Sequence, residues 1–168
     1  MAGRIFVDFD GVLNSDHFYT RSRRAAEKGE LDRGCVKLLN ELVARTGCKI
    51  VIISNWRHGE SVPELRKIMV DRGFEHPASV VGKTPDLGED AVRGYEILAY
   101  IKARKMKEPF VVLDDTDDMD GVEDCFVRTD PRKGLQKADV ERAIQILRRQ
   151  ARSSKAAARI SRGKERAA

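Results

Sequence analysis

The stretch Arg4-Ile-Phe-Val-Asp-Phe-Asp-Gly-Val-Leu-Asn14 decides how the rest of the chain is read. Its apolar, β-branched opening is too short for an independent helix and predicts a buried strand that stops at Asp8. On an extended chain, side chains at i and i+2 project to the same side, so Asp8 and Asp10 crowd two carboxylates together. Gly11 then allows a tight turn into a loop. Like charges held this close need a cation or a proton.

Working outward, Cys48-Lys-Ile-Val-Ile-Ile-Ser54 reads as a second buried strand. Between the two, Val36, Leu39, Leu42 and Val43 recur at helical spacing from about Gly34, with Gly47 as the stop. That is a β-α-β unit, the signature of a parallel sheet. Ser61-Val-Pro-Glu64 has capping-box spacing, and Leu65, Ile68 and Met69 follow on one face until Gly73. A short strand is expected near Ala78–Val81, a helix over Glu89–Arg104, a strand over Pro109–Leu113 and a last one over Asp124–Arg128. Val140, Ala143, Ile144 and Leu147 mark the final helix. The expectation is a three-layer, Rossmann-like α/β fold with about five parallel strands, occupying residues 1–150. Residues 12–33 are polar and form the one sizeable insertion, a hairpin flap or short helix over the sheet edge.

With 41% apolar and 35% charged residues, the chain is expected to bury one ordinary core. No stretch reaches the roughly 18 apolar residues of a membrane span, and no signal-peptide core follows Met1, which together predict a cytoplasmic protein. Cys35, Cys48 and Cys125 are odd in number and sit in apolar segments, which fits reduced core residues better than a disulfide framework or a zinc site. The net charge of +5 is unevenly spread: residues 148–168 carry +7 and the preceding body −2. The basic character therefore lies in a C-terminal extension, residues 148–168, of which 151–168 are expected to be a flexible tail. It reads as a solvated segment or as a phosphate-backbone contact through Arg148, Arg149, Arg152, Lys155, Arg159, Arg162, Lys164 and Arg166.

In open α/β sheets ligands bind beyond the carboxyl ends of the strands. Three motifs fall there: Asp8-Phe-Asp10, Ser54-Asn-Trp-Arg57 and Asp114-Asp115. Oxygen ligands without His or Cys suit Mg²⁺, which would hold Asp8 ionised and able to attack phosphorus, leaving Asp10 to carry a proton. The run Asp114-Asp115-Thr116-Asp117-Asp118-Met119-Asp120-Gly121 is no calcium hand. With Gly121 sixth, the loop would start at Thr116 and end at Val127, without its first carboxylate or its closing glutamate. Asp118 is a candidate to orient Lys83, Arg93 or a metal-bound water, and Asp117 and Asp120 read as solvated loop residues. Arg57 offers a fork that matches phosphate oxygens, or else pairs with a nearby carboxylate. Trp56 reads as core packing or as a base-stacking platform. His17, His58 and His76 have no ligand spacing.

The order strand-Asp-x-Asp-Gly, strand-Ser, basic residue, strand-Asp-Asp resembles the haloacid dehalogenase (HAD) superfamily over residues 4 to about 147. Asp8-Phe-Asp-Gly-Val-Leu-Asn14, Ser54-Asn-Trp-Arg57, Arg93-Gly-Tyr-Glu-Ile97, Val112-Leu-Asp-Asp115 and Gly134-Leu135 resemble, more narrowly, the HAD phosphatase domains of Swiss-Army-knife RNA-repair proteins. The resemblance implies Asp8 as the nucleophile that forms an aspartyl-phosphate and Asp10 as general acid/base. It implies Ser54 as a contact to the transferring phosphoryl group, with Arg93 or Lys83 as the third-motif cation. It implies Mg²⁺ held by Asp8, Asp114, Asp115 and the Asp10 backbone carbonyl. Asn55, Arg57 and Asn14 are the expected substrate contacts.

Cap domains of the superfamily follow the first or third strand. Here the first position offers about twenty residues and the second very few, which implies a site open apart from a flap. An open site admits a polymer end, so a terminal phosphate on a polynucleotide is the leading substrate. A nucleotide or other small-molecule phosphomonoesterase and a non-catalytic nucleic-acid-binding module are the alternatives. A phospho-receiver domain would need an aspartate where the chain has Ser54.

Overall fold

The computed structural model of the chain describes residues 3–88 and 90–165, and side chains as far as Ser154. Five strands form one parallel sheet: β1 (Arg4–Val7), β2 (Lys49–Ile52), β3 (Val80–Lys83), β4 (Phe110–Asp114) and β5 (Phe126–Arg128), in the spatial order β3-β2-β1-β4-β5. Six helices connect or flank them: α1 (Asp16–Arg21), α2 (Arg23–Glu27), α3 (Arg33–Thr46), α4 (Val62–Asp71), α5 (Arg93–Ala103) and α6 (Lys137–Glu165).

The three-layer α/β expectation holds. Alternating strand residues divide the core: Ile5 and Val7 pack in one cluster with Leu39, Leu65, Met69 and Ile144, from α3, α4 and α6. Phe6, Val51 and Val112 join Ile97 and Tyr100 of α5 in a second cluster on the other face. Strands buried on both faces read as continuous apolar runs, as the sequence of β1, β2 and β4 does.

Register places the motifs. Val7 pairs with both Ile52 and Leu113, so Asp8, Ile53 and Asp114 reach one level at the carboxyl edge. The Asp8 N–H donates to the Leu113 carbonyl at 3.0 Å and the Ile53 N–H to the Val7 carbonyl at 3.0 Å, which carries the ladder into the loops. Asp8 shares the pleat side of Phe6, the face that α5 covers.

Several boundaries differ from the sequence reading. The polar insertion holds two short helices, α1 and α2, whose first-turn backbone N–H groups donate to the Ser15 and Ser22 hydroxyls. β3 begins at Val80 because Pro77–Ser79 form a 3-10 turn, and it runs on through Gly82, beside Tyr100. β5 likewise begins at Phe126, after a 3-10 turn over Glu123–Cys125. The expected start of α5 at Glu89 lies outside the described residues, and the helix as described begins at Arg93. Cys35 and Cys48 are buried, and Cys125 is partly so.

α6 continues well beyond Leu147 to Glu165, since Ala, Arg, Lys and Gln all favour helix. It starts near the site, where the Leu135 N–H meets the Val12 carbonyl. It then runs back against the strands, so that the Gln150 amide bonds both backbone groups of Phe110, the first residue of β4. The basic end of α6 therefore leaves from the sheet edge opposite the carboxylates. Arg166 and the side chains of Lys155, Arg159, Arg162 and Lys164 lie outside the description.

Candidate active site

Asp8 is the buried centre of the carboxyl edge. Its Oδ1 accepts the Phe9 N–H at 2.6 Å, its Oδ2 lies 3.2 Å from Arg93 Nη1, and the Ser54 side chain hydrogen-bonds it as well. Asp114, at the end of the neighbouring strand, has no exposed surface. Its Oδ1 accepts the Thr116 N–H at 3.0 Å and lies 2.8 Å from the Thr116 hydroxyl. Its Oδ2 has no hydrogen-bond partner and lies 3.5 Å from Arg93 Nη1. Asp115 completes the group: ligand atoms of Asp8, Asp114 and Asp115 lie within 4.8 Å of one another. Gly11, at φ +66°, lets the first loop pass this close, because a Cβ there would stand 2.4 Å from Asp115 Cγ.

Burial, opposed mainly by Arg93, pushes the Asp8 carboxyl above its ordinary value. Burial and then the Asp8 charge push Asp114 up to about 7. Burial works against the Arg93 charge, but Asp8 and Asp114 outweigh it and hold the guanidinium above its ordinary value. A buried carboxylate oxygen without a hydrogen bond, in an all-oxygen donor set, fits a hard divalent cation and not a thiophilic one.

The cation candidates separate. Arg93 opens α5 and reaches Asp8, Asp114 and the Ile53 carbonyl, the last at 2.8 Å. Its backbone is set by Asp118, whose carboxylate accepts the Arg93 N–H at 3.2 Å and whose carbonyl accepts that of Gly94 at 3.0 Å. Gly94 is required by this approach, since a Cβ would lie 2.4 Å from the Asp120 carbonyl oxygen. Lys83 turns away instead, donating to the Arg57 and Glu60 carbonyls at 2.8 and 2.6 Å.

Of the expected substrate contacts, Asn55 stands at the site with its Oδ1 3.4 Å from Arg93 Nη2. Arg57 is buried, its Nη2 2.5 Å from Glu96 Oε2 and its Nη1 donating to the Ile53 and Ser54 carbonyls. Asn14 is buried too and donates to Asp10 Oδ1 at 2.7 Å. The Asp10 carboxylate stands outside the metal-type group, and its Oδ2 accepts the Trp56 indole N–H at 2.8 Å. Trp56 is thus neither plain core nor a free platform: it packs edge-to-face on Phe9 at 5.4 Å while bonding the second aspartate. The sequence reading missed this bond and Glu96, although both residues lie inside quoted motifs.

The histidines stay apart. His58 pairs with Asp86 at 3.0 Å, His76 lies against Phe74, and His17 is exposed on α1. Asp117 bonds Arg128, and Asp120 is exposed. A cleft of about 590 Å³, lined by Asn55, His58, Asp86, Ala91, Arg93 and Asp118 among others, opens beside the cluster. Between β1 and α3 stand only the short helices α1 and α2, and among the described residues 84–92 there is no helix or strand.

A parallel Rossmann-like sheet whose central strand ends in Asp-x-Asp, flanked by strand ends carrying Ser and Asp-Asp, defines a HAD-type domain. Residues 4–140 match the family described as the HAD domain in Swiss Army Knife RNA repair proteins, and the chain belongs to that family. No curated protein and no solved structure matches the chain.

Proposed function

We propose that the chain is a Mg²⁺-dependent phosphohydrolase that removes a terminal phosphate from a polynucleotide through an aspartyl-phosphate on Asp8. The observation that carries this reading is the setting of Asp8, buried at a strand end beside Asp114 and Asp115 and faced by Ser54 and Arg93. Asp8, Asp114 and Asp115, with the Asp10 carbonyl, would hold the cation, which when bound neutralises the carboxylates and polarises the phosphoryl oxygens.

Asp8 attacks phosphorus, and the bond to the leaving oxygen breaks as Asp10 hands that oxygen a proton. Asp10, now a carboxylate, takes a proton from water, whose oxygen attacks phosphorus and releases Asp8 and inorganic phosphate. The Ser54 hydroxyl and the Arg93 guanidinium stabilise charge on the phosphoryl oxygens. Asn55 contacts substrate, whereas Arg57 and Asn14 act as internal supports, because their polar groups are already engaged inside the fold.

The polynucleotide end rests on the family's RNA-repair description and on the shortness of the insertion between β1 and α3, which holds only α1 and α2. The basic end of α6 serves as a remote contact to the same polymer. Four residues of β4 separate the carboxylates from the level of Gln150, about 13 Å. Fifteen further helical residues add about 22 Å. Among the described residues no helix is long and apolar enough to cross a membrane, and a cytoplasmic site of action goes with this reading. Residues 1–150 form the catalytic unit.

The test is phosphate release with Mg²⁺ or EDTA from 3′- and 5′-phosphorylated RNA and DNA oligonucleotides and from mononucleotides, with Asp8→Asn in parallel. Mg²⁺-dependent release from an oligonucleotide end, lost in Asp8→Asn, is expected. Release from mononucleotides alone replaces the end-processing reading with a small-molecule phosphomonoesterase. No release together with no Mg²⁺ binding leaves a nucleic-acid-binding module.

A further inference from the structure

Asp10 stands on an exposed loop, where a free carboxylate would sample several rotamers. Instead each of its oxygens takes one bond from a neutral donor: Asn14 Nδ2 to Oδ1 at 2.7 Å and Trp56 Nε1 to Oδ2 at 2.8 Å. Both donors are themselves fixed. Asn14 is buried, its Oδ1 accepts the Gly11 N–H at 3.1 Å and its Nδ2 also donates to the Tyr19 hydroxyl at 2.7 Å. That pattern sets which way the amide points. The indole packs edge-to-face on Phe9, and a Cβ on Gly29 of the flap would touch its ring at 3.4 Å. The Trp56 backbone N–H donates to the Ser54 hydroxyl at 3.3 Å, so the same 3-10 turn carries the indole and begins at the phosphoryl-contacting serine.

We infer that Trp56 and Asn14 are positioning residues for Asp10, gripping both carboxylate oxygens so that it meets the leaving oxygen in one orientation. The inference rests on the phosphohydrolase reading above. An indole N–H and an amide N–H₂ only donate, so neither takes the proton that Asp10 passes on. Each carboxylate oxygen keeps a further lone pair for that proton. Preorganisation of this kind removes a rotamer search from the chemical step.

The experiment compares kcat/KM of the full chain and of Trp56→Phe, with Mg²⁺, on phenyl phosphate and on 4-nitrophenyl phosphate. Phenolate is a poor leaving group that needs the Asp10 proton, and 4-nitrophenolate leaves without it. Trp56→Phe is expected to lose roughly 10- to 100-fold on phenyl phosphate and less than about 3-fold on 4-nitrophenyl phosphate. Asn14→Ala is expected to show the same asymmetry. Equal losses on both esters, which a structural role would give, or no loss on either, overturn the inference.

Trp56 is the chain's single tryptophan, so a ¹H–¹⁵N spectrum holds one indole N–H signal. In Asp10→Ala that signal is expected to move upfield and exchange faster with water. An unmoved signal overturns the contact even if Trp56→Phe does not fold. Absence of turnover by the wild-type chain on every phosphate ester overturns the phosphohydrolase reading and the catalytic role with it. Turnover without leaving-group discrimination overturns this inference alone.

Discussion

Glu96→Gln decides between two roles for Arg57, a buried strut and a phosphate clamp. The two side chains are 3% and 6% exposed, with Arg57 Nη2 2.5 Å from Glu96 Oε2. Glu96 Oε1 also accepts the Leu87 N–H at 3.2 Å, and Arg57 Nη1 donates to the Ile53 carbonyl at 2.8 Å. Glutamine keeps an acceptor at the same place but removes the charge, which leaves a buried guanidinium without a counter-ion. At an effective dielectric of about 20, opposite charges roughly 4 Å apart attract by about 4 kcal/mol. Removing one partner of a buried pair costs about 3–5 kcal/mol. The retained hydrogen bond offsets about 1 kcal/mol of this, so a net loss of about 2–4 kcal/mol is expected.

For a domain of this length each kcal/mol moves Tm by about 2–4 °C, so thermal unfolding at pH 7 should show a fall of roughly 4–16 °C. The double variant Arg57→Met, Glu96→Leu should recover most of it, because an apolar pair of similar volume carries no desolvation cost. Arg57 and Arg93 share the Ile53 carbonyl, so the single variant should also lower kcat. A Tm within about 2 °C of wild type, or a double variant no more stable than the single one, would refute the strut. A clamp predicts the reverse pattern: a raised KM in Arg57→Met with Tm unchanged.

Three further expectations follow from the same geometry. Asp114, pushed up to about 7 by burial and then by Asp8, contributes stability that is present below its ordinary value of 3.8 and lost as pH rises through about 7. Bound Mg²⁺ reverses that loss, so the Tm gain on adding Mg²⁺ should be larger at pH 8 than at pH 5.5, and an equal gain would show that protons and metal do not compete there. Gly94→Ala forces a methyl against the Asp120 backbone at 2.4 and 2.7 Å, so about 1–3 kcal/mol should be lost in denaturant titrations, together with activity as Asp118 retreats from Arg93. Replacing Arg152, Lys155, Arg159 and Arg162 by Gln should weaken, in a salt-dependent way, binding of strands longer than about 4–10 stacked nucleotides and leave shorter ones alone. Uniform weakening at every length would place that helix end beside the site.

How far the site was legible turns on whether a residue's partner is near in sequence. Asp8, Ser54 and Asp114 end apolar runs, and parallel pairing of adjacent strands then puts Asp8 and Asp114 level, so spacing and strand order locate them without coordinates. Capping boxes are equally local, and Ser61 and Glu64 close as their spacing predicts. The start of α5 is a different case. Val92 provides no side-chain cap, and the helix is instead received by Asp118, 25 residues on, so no local signal at residues 89–93 marks where it begins. Arg57 fails for the same reason: its partner Glu96 is 39 positions away, and a guanidinium that suits phosphate suits a buried carboxylate equally well. Trp56 is the sharpest example. Its indole offers one N–H and a large apolar ring, and sequence alone weighs the ring; only the fold shows that this N–H lands on the second aspartate of the motif that first defined the chain.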